Sequence, residues 1–159
     1  MKPLPRYPKC FICGRENHCG LSITFQTDGE RVFAEFKPAE HHVGYKDHIH
    51  GGILSAVLDE IMGWAICVKT GLLFNTWELS VRYLLPLQPG MEVRAVAEMV
   101  DDKHRYLTAE GYIEDSEGNI YAKGWGKYFP LKDEATDEIL SYLENEDGGQ
   151  PSMEDLRAG

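Results

Sequence analysis

From Ile53 to Val68 apolar residues occupy nearly every helical face, and only the adjacent acids Asp59 and Glu60 interrupt them. A helix that is apolar all round must be enclosed by the rest of its domain instead of lying on its surface. Charge at the centre of such a helix costs free energy unless it is paired, so a carboxylate there is a candidate for chemistry before it is one for stability. On helical spacing Asp59 shares a face with Gly52, Ser55, Ala56 and Gly63, all small. The carboxylate therefore looks into space that a ligand or a partner chain would fill. Glu60 lies over Ala56, Val57, Gly63 and Trp64 and is the reserve acid.

His50-Gly51-Gly52 opens this helix. Backbone N–H groups in a first helical turn have no carbonyl four residues upstream, and with the helix dipole behind them they suit a developing oxyanion. The cradle at Gly51 and Gly52 and the acid at Asp59 are separated by roughly 12 Å of axial rise. One substrate atom cannot bridge that distance. Two copies packed antiparallel would bring each cradle to the other's acid.

The flanking sequence supplies the enclosure. Leu21–Thr27 and Arg31–Lys37 read as strands joined at Asp28-Gly29, a hairpin turn signal. Beyond Gly71, strand-like runs at Thr76–Leu85, Met91–Val100, Tyr106–Glu114 and Ile120–Phe129 are separated by Pro89-Gly90, Asp101-Asp102 and Gly118-Asn119. Short connections make these antiparallel neighbours. The expected fold is α+β, a curved antiparallel sheet wrapped around one long helix. Gly111, Gly124 and Gly126 fall inside strands, where they relieve crowding against the helix or mark bulges.

His50-Gly51-Gly52 followed by Leu58-Asp59, the acid nine positions after the histidine, resembles the hot-dog-fold acyl-CoA thioesterases of the phenylacetate-degradation (PaaI-like) type. Thr76-Trp77-Glu78-Leu79-Ser80-Val81-Arg82-Tyr83-Leu84-Leu85-Pro86 is similar to the strand that follows that family's helix, and Cys10-Phe11-Ile12-Cys13-Gly14 with Asn17 and Gly20-Leu21 resembles a lead-in of one branch. The resemblance implies hydrolysis of acyl-CoA thioesters at a site shared within a homodimer or a dimer of dimers. In it the Gly51 N–H holds the acyl carbonyl, Asp59 acts as general base or as nucleophile, and coenzyme A enters only as part of the substrate. It gives Thr76 a hydroxyl role in holding the attacking water; read alone, Thr76 is a β-branched residue at home in a strand. His50 holds the loop that aims Gly51. One position departs from the pattern: the family's carbonyl-donating asparagine, six residues before the histidine, is here Gly44, for which Asn17, His42, Tyr45 and His48 are possible substitutes. The departure leaves open a binding-only hot-dog protein, with an enoyl-CoA hydratase or dehydratase as the other alternative.

Nine of the acidic residues and one of the basic ones lie between Asp133 and Gly159, so most of the formal charge of −10 belongs to the tail and the body is nearly neutral. That argues against a nucleic-acid surface. An anionic coenzyme would need a local basic cluster: Lys103-His104-Arg105 is the best placed, and Lys123 and Lys127 are the reserve. The expected organisation is a lead-in over residues 1–19, the hot-dog domain over 20–131, and an acidic segment over 132–159 with a weak amphipathic helix through Ile139, Leu140 and Leu143 before a flexible Glu144–Ser152. Met1–Pro8 has no apolar signal core and no membrane partner is expected, so the expectation is cytoplasmic. No metal is expected either. Cys10-x-x-Cys13 has zinc-knuckle spacing, but His18 and Cys19, being adjacent, make a poor second pair, and His41, His42, His48 and His50 with Asp47 follow no established ligand spacing.

Overall fold

In the computed structural model, which describes residues 1–157, the elements in chain order are β1 (Lys2–Pro3), β2 (Gln26–Thr27), β3 (Arg31–Phe36), a 3₁₀ turn (Glu40–His42), β4 (Val43–Tyr45), β5 (His48–Ile49) and α1 (Gly51–Thr70). They continue with β6 (Phe74–Tyr83), β7 (Val93–Asp102), β8 (Leu107–Glu114), β9 (Ile120–Pro130), α2 (Asp133–Leu140) and the short α3 (Met153–Leu156). Seven strands form one antiparallel sheet in the order β1-β2-β3-β7-β8-β9-β6, and β4 and β5 pair separately.

α1 lies across the sheet with Val57, Leu58, Ile61, Met62 and Ile66 fully buried. Its length and hydropathy match those of a membrane span. Here the apolar partner is the sheet. Burying each large aliphatic side chain contributes about 1.5–3 kcal/mol. The close approach depends on absent side chains: a Cβ on Gly124 would stand 3.1 Å from Met62 Cε, and one on Gly111 would stand 3.2 Å from Met62 Cγ. Gly71 ends the helix in the left-handed region (φ +70°) and returns its N–H to the Cys67 carbonyl at 2.7 Å.

Two expectations are corrected. The first strand does not run from Leu21: Ser22 turns at φ +51°, and only Gln26–Thr27 pairs with β3. The preceding segment is held by the lead-in, through Leu21 N–H to Phe11 O (3.0 Å), Ile23 N–H to Ile12 O (2.8 Å) and Leu4 N–H to Phe25 O (2.9 Å). Nor does the chain after Leu143 run free. Arg6 and Glu144 exchange backbone hydrogen bonds at 2.8 Å, and Glu146 pairs with both Arg6 and Arg15.

Candidate active site

Most of α1 is covered, and what remains partly open is one strip: Gly52, Ser55, Ala56, Asp59 and Gly63, with Glu60 at its border. Asp59 sits midway along it. Its Oδ1 accepts a hydrogen bond from Thr76 Oγ1 at 2.9 Å, and the Tyr128 hydroxyl donates to the Asp59 backbone carbonyl at 3.2 Å. Burial pushes the Asp59 carboxyl above the ordinary aspartate value, while the hydroxyls of Thr76 and Tyr128 pull the other way. Desolvation dominates, so the carboxylate is a better base than a free aspartate, and it keeps its charge by accepting from Thr76.

Thr76 reaches the helix because β6 carries a bulge. Thr76 pairs with Tyr128 and Glu78 with Lys127, so Trp77 is an extra residue between two consecutive partners. Strict alternation back from Leu79 and Val81, which pack on the core, would have aimed Trp77 at α1 and Thr76 away. The bulge exchanges them. Trp77 stands 72% exposed, and Thr76 shares Tyr128's side of the sheet.

At the helix start the two glycines have different fates. Gly52 N–H donates to His50 Nδ1 at 2.8 Å, so the imidazole is the N-cap and that donor is spent. Gly51 N–H has no partner among the described residues. The expected cradle of two donors is thus a single donor at Gly51. Beside it stands a pair that the sequence reading did not single out, Ser55 Oγ and Tyr83 OH, 2.5 Å apart. A Cβ on Gly51 would press on the Tyr83 ring at 3.2 Å.

Gly44 has a steric reason. A Cβ there would stand 2.9 Å from His50 Cδ2, so the capping imidazole occupies the space an asparagine side chain would need. Two of the possible substitutes are committed elsewhere. His42 is buried, accepting from Ala39 N–H at 3.0 Å and lying 3.4 Å from Cys19 O, and Asn17 bonds Lys9 O and Cys19 N–H. Tyr45 and His48 are exposed on the β4–β5 hairpin, where His48 Nδ1 lies 2.8 Å from Lys46 O.

The basic candidates divide. Lys103, His104 and Arg105 form the exposed tip between β7 and β8, one step beyond Leu107, which pairs with Tyr128 in the row that continues to Thr76. Lys103 forms an ion pair with Asp101. Lys123 and Lys127 instead lie on the sheet face turned away from α1, where Lys127 Nζ sits 4.1 Å from the Tyr106 ring centroid. Alternation with the inward Gly124, Gly126 and Tyr128 requires this placement.

A cleft of about 270 Å³ holds Asp59, Glu60, Trp64, Phe74, Thr76 and Tyr128. Larger hollows, of about 770 Å³ and 490 Å³, lie off the helix: the first is bordered by Glu35, Glu92, Glu114, Asp115 and Glu117, and the second lies on the outer sheet face. An acid-rimmed hollow repels an anionic ligand, so the smaller cleft is the candidate site.

At the cleft's border Cys10 Sγ lies 3.2 Å from Glu60 Oε2 and accepts from Ile12 N–H at 3.3 Å, with Cys13 alongside. Hydrogen bonding from Cys13 draws the Cys10 thiol down to about 5, the same contact and burial push the Cys13 thiol up, and burial pushes Glu60 up to about 8. The sequence gave no signal joining these cysteines to Glu60, fifty residues away.

Residues 46–122 match the thioesterase superfamily family model. Over 111 residues the chain is 23% identical to the human (Homo sapiens) acyl-coenzyme A thioesterase THEM5, a match covering 69% of this chain and 44% of that protein, so the chain spans under half the length of this curated relative. Among solved structures it superposes on the E. coli PaaI protein from the phenylacetic acid degradation operon with a TM-score of 0.64 (18% identity, 70% of this chain, 81% of that one). It superposes on smu.793 from Streptococcus mutans bound to acetyl CoA with a TM-score of 0.63 (18% identity, 69% and 88%). These likenesses establish the hot-dog fold.

Proposed function

We propose that this chain, which carries a thioesterase-superfamily domain, hydrolyses acyl-CoA thioesters to a free acid and coenzyme A. The observation that carries the reading is Asp59: a half-buried carboxylate on the open strip of α1, held at 2.9 Å by the Thr76 hydroxyl and raised by burial into a more basic range. The similarity to THEM5 and the acetyl CoA bound by smu.793 support the choice of substrate class.

In the proposed reaction the acyl carbonyl oxygen accepts from Gly51 N–H, with the positive end of α1 behind it. Asp59 takes a proton from water as the water oxygen adds to the carbonyl carbon, or attacks that carbon itself; the C–S bond then breaks and coenzyme A leaves as its thiol. The Thr76 hydroxyl holds the Asp59 carboxylate and lies where an attacking water would be shared. Gly51 and Asp59 are eight residues apart on one straight helix, about 12 Å. We therefore place the site between two copies, each giving its Gly51 to the other's Asp59. The unpaired outer edge of β6, with Trp77 and Tyr83 72% and 52% exposed, supports such a pairing. Lys103, His104 and Arg105 are the proposed contact for the coenzyme's phosphates.

A panel of aliphatic and aromatic acyl-CoAs, with a thiol reagent and no added metal or cofactor, tests the reading. Release of free thiol from at least one member supports hydrolysis. Saturable binding with no thiol release would replace it by the binding-only reading, which the loss of a donor at Gly44 favours. A change in enoyl-CoA absorbance without thiol release would replace it by hydration.

A further inference from the structure

We propose that Cys10 Sγ, Cys13 Sγ and a Glu60 carboxylate oxygen form a binding site for a borderline-soft divalent cation of the zinc type, fastening the N-terminal arm to α1 next to Asp59. The ligand atoms of these three residues lie within 4.8 Å of one another, with Cys10 Sγ and Glu60 Oε2 at 3.2 Å. Zinc binds sulfur at about 2.3 Å and carboxylate oxygen at about 2.0–2.2 Å, so tetrahedral neighbours stand about 3.5–3.8 Å apart. Small side-chain adjustments bring the three onto one ion.

The turn that carries the cysteines is already shaped for a thiolate. Ile12 N–H points at Cys10 Sγ, Gly14 N–H closes the turn on Cys10 O at 3.0 Å, and a Cβ on Gly14 would lie within 2.6 Å of Pro8 O, Cys10 O and Cys10 N. Only glycine fits there, and the result is a Cys-x-x-Cys-Gly knuckle whose backbone donors favour ionised sulfur. The third ligand comes from elsewhere in the fold. Cys19, the partner that spacing alone would suggest, is exposed and outside the cluster, while Glu60 arrives from α1.

Charge balance separates a cation from a disulfide. Among the described residues no lysine, arginine or histidine pairs with Glu60, so its carboxylate meets sulfur where a positive charge would be expected. A Cys10–Cys13 disulfide would leave that carboxylate uncompensated. A divalent ion neutralises all three ligands, and the cleft that Glu60 lines gives water access to the fourth coordination position. The inference does not depend on the hydrolase reading.

The test uses the full chain, reduced and stripped with a chelator, then titrated with Zn²⁺ by calorimetry and with Co²⁺ by absorption. The expected result is one metal per chain and a thiolate-to-cobalt charge-transfer band in the near ultraviolet. Cys10→Ser and Cys13→Ser should each lose that band, Glu60→Gln should bind more weakly with the band retained, and Cys19→Ser should match wild type. Alkylation of the wild-type chain needs no variant: Zn²⁺ should protect Cys10 and Cys13 and leave Cys19 reactive, as read by peptide mass. Absence of saturable binding, a cobalt spectrum without the band, or equal alkylation with and without Zn²⁺ would each overturn the proposal.

Discussion

Replacing Thr76 by valine keeps the β-branched shape that suits β6 and removes one atom's function, the hydroxyl that donates to Asp59 Oδ1 at 2.9 Å. A hydrogen bond to a charged group contributes about 1.5–3 kcal/mol. Thr76 is exposed in the single chain and Asp59 is half-buried, so water replaces part of what is lost and the low end applies. At 1.36 kcal/mol per decade that is a fall of about tenfold in kcat. The hydroxyl also stabilises the charged form of Asp59, so its removal lets burial dominate further, and the acid limb of the kcat profile should move to higher pH. Thiol release from the best acyl-CoA, measured across pH for wild type, Thr76→Val, Asp59→Asn and the double variant, reads both effects. In the Asp59→Asn background the valine should cost almost nothing more. A Thr76→Val enzyme within twofold of wild type, or one whose loss persists undiminished without Asp59, would refute the coupling.

Three further expectations follow from the same geometry. Burial holds the His42 imidazole below the ordinary histidine value, so its contribution to stability is present above the unfolded value of about 6.5 and is lost as pH falls below it; the Tm advantage of wild type over His42→Gln should therefore shrink between about pH 7.5 and about pH 5.5. An advantage constant with pH would contradict that assignment. His50→Ala removes the acceptor of Gly52 N–H and should cost about 1 kcal/mol in chemical denaturation, with kcat lowered because the Gly51 loop is no longer held; unchanged stability would remove His50 from its capping role. Mixing Asp59→Asn chains with Gly51→Val chains should restore about a quarter of wild-type activity, since half of randomly formed dimers carry one intact site of two, and no recovery on mixing would place each site within one chain.

The sequence made the helix legible because enclosure leaves an all-apolar pattern, and it made the face of Asp59 legible because small residues recur at helical spacing. The strands from Arg31 onward were legible from turn signals. Local reading failed where distant partners decide. Leu21–Phe25 has strand composition, yet its hydrogen bonds go to residues 4, 11 and 12 after the turn at Ser22. Alternation points Thr76 away from α1, and only the bulge at Trp77 reverses it. Gly51 and Gly52 look equivalent until the His50 ring takes one of their two donors. Lys123 and Lys127 were grouped with the coenzyme contacts by charge, and alternation with Gly124 and Gly126 sends them to the other face. The meeting of Cys10 and Cys13 with Glu60 has no local signature at all.

The most direct measurement compares thiol release by wild type and by Asp59→Asn on the best substrate of the acyl-CoA panel, with both proteins shown to be folded and to bind coenzyme A equally. Asparagine keeps the size of the side chain and removes the charge that activates water or attacks the thioester, so kcat should fall by at least about 10²-fold with little change in binding. An Asp59→Asn protein that turns over within a few-fold of wild type would contradict the account, and more sharply still if Glu60→Gln were the variant that lost activity.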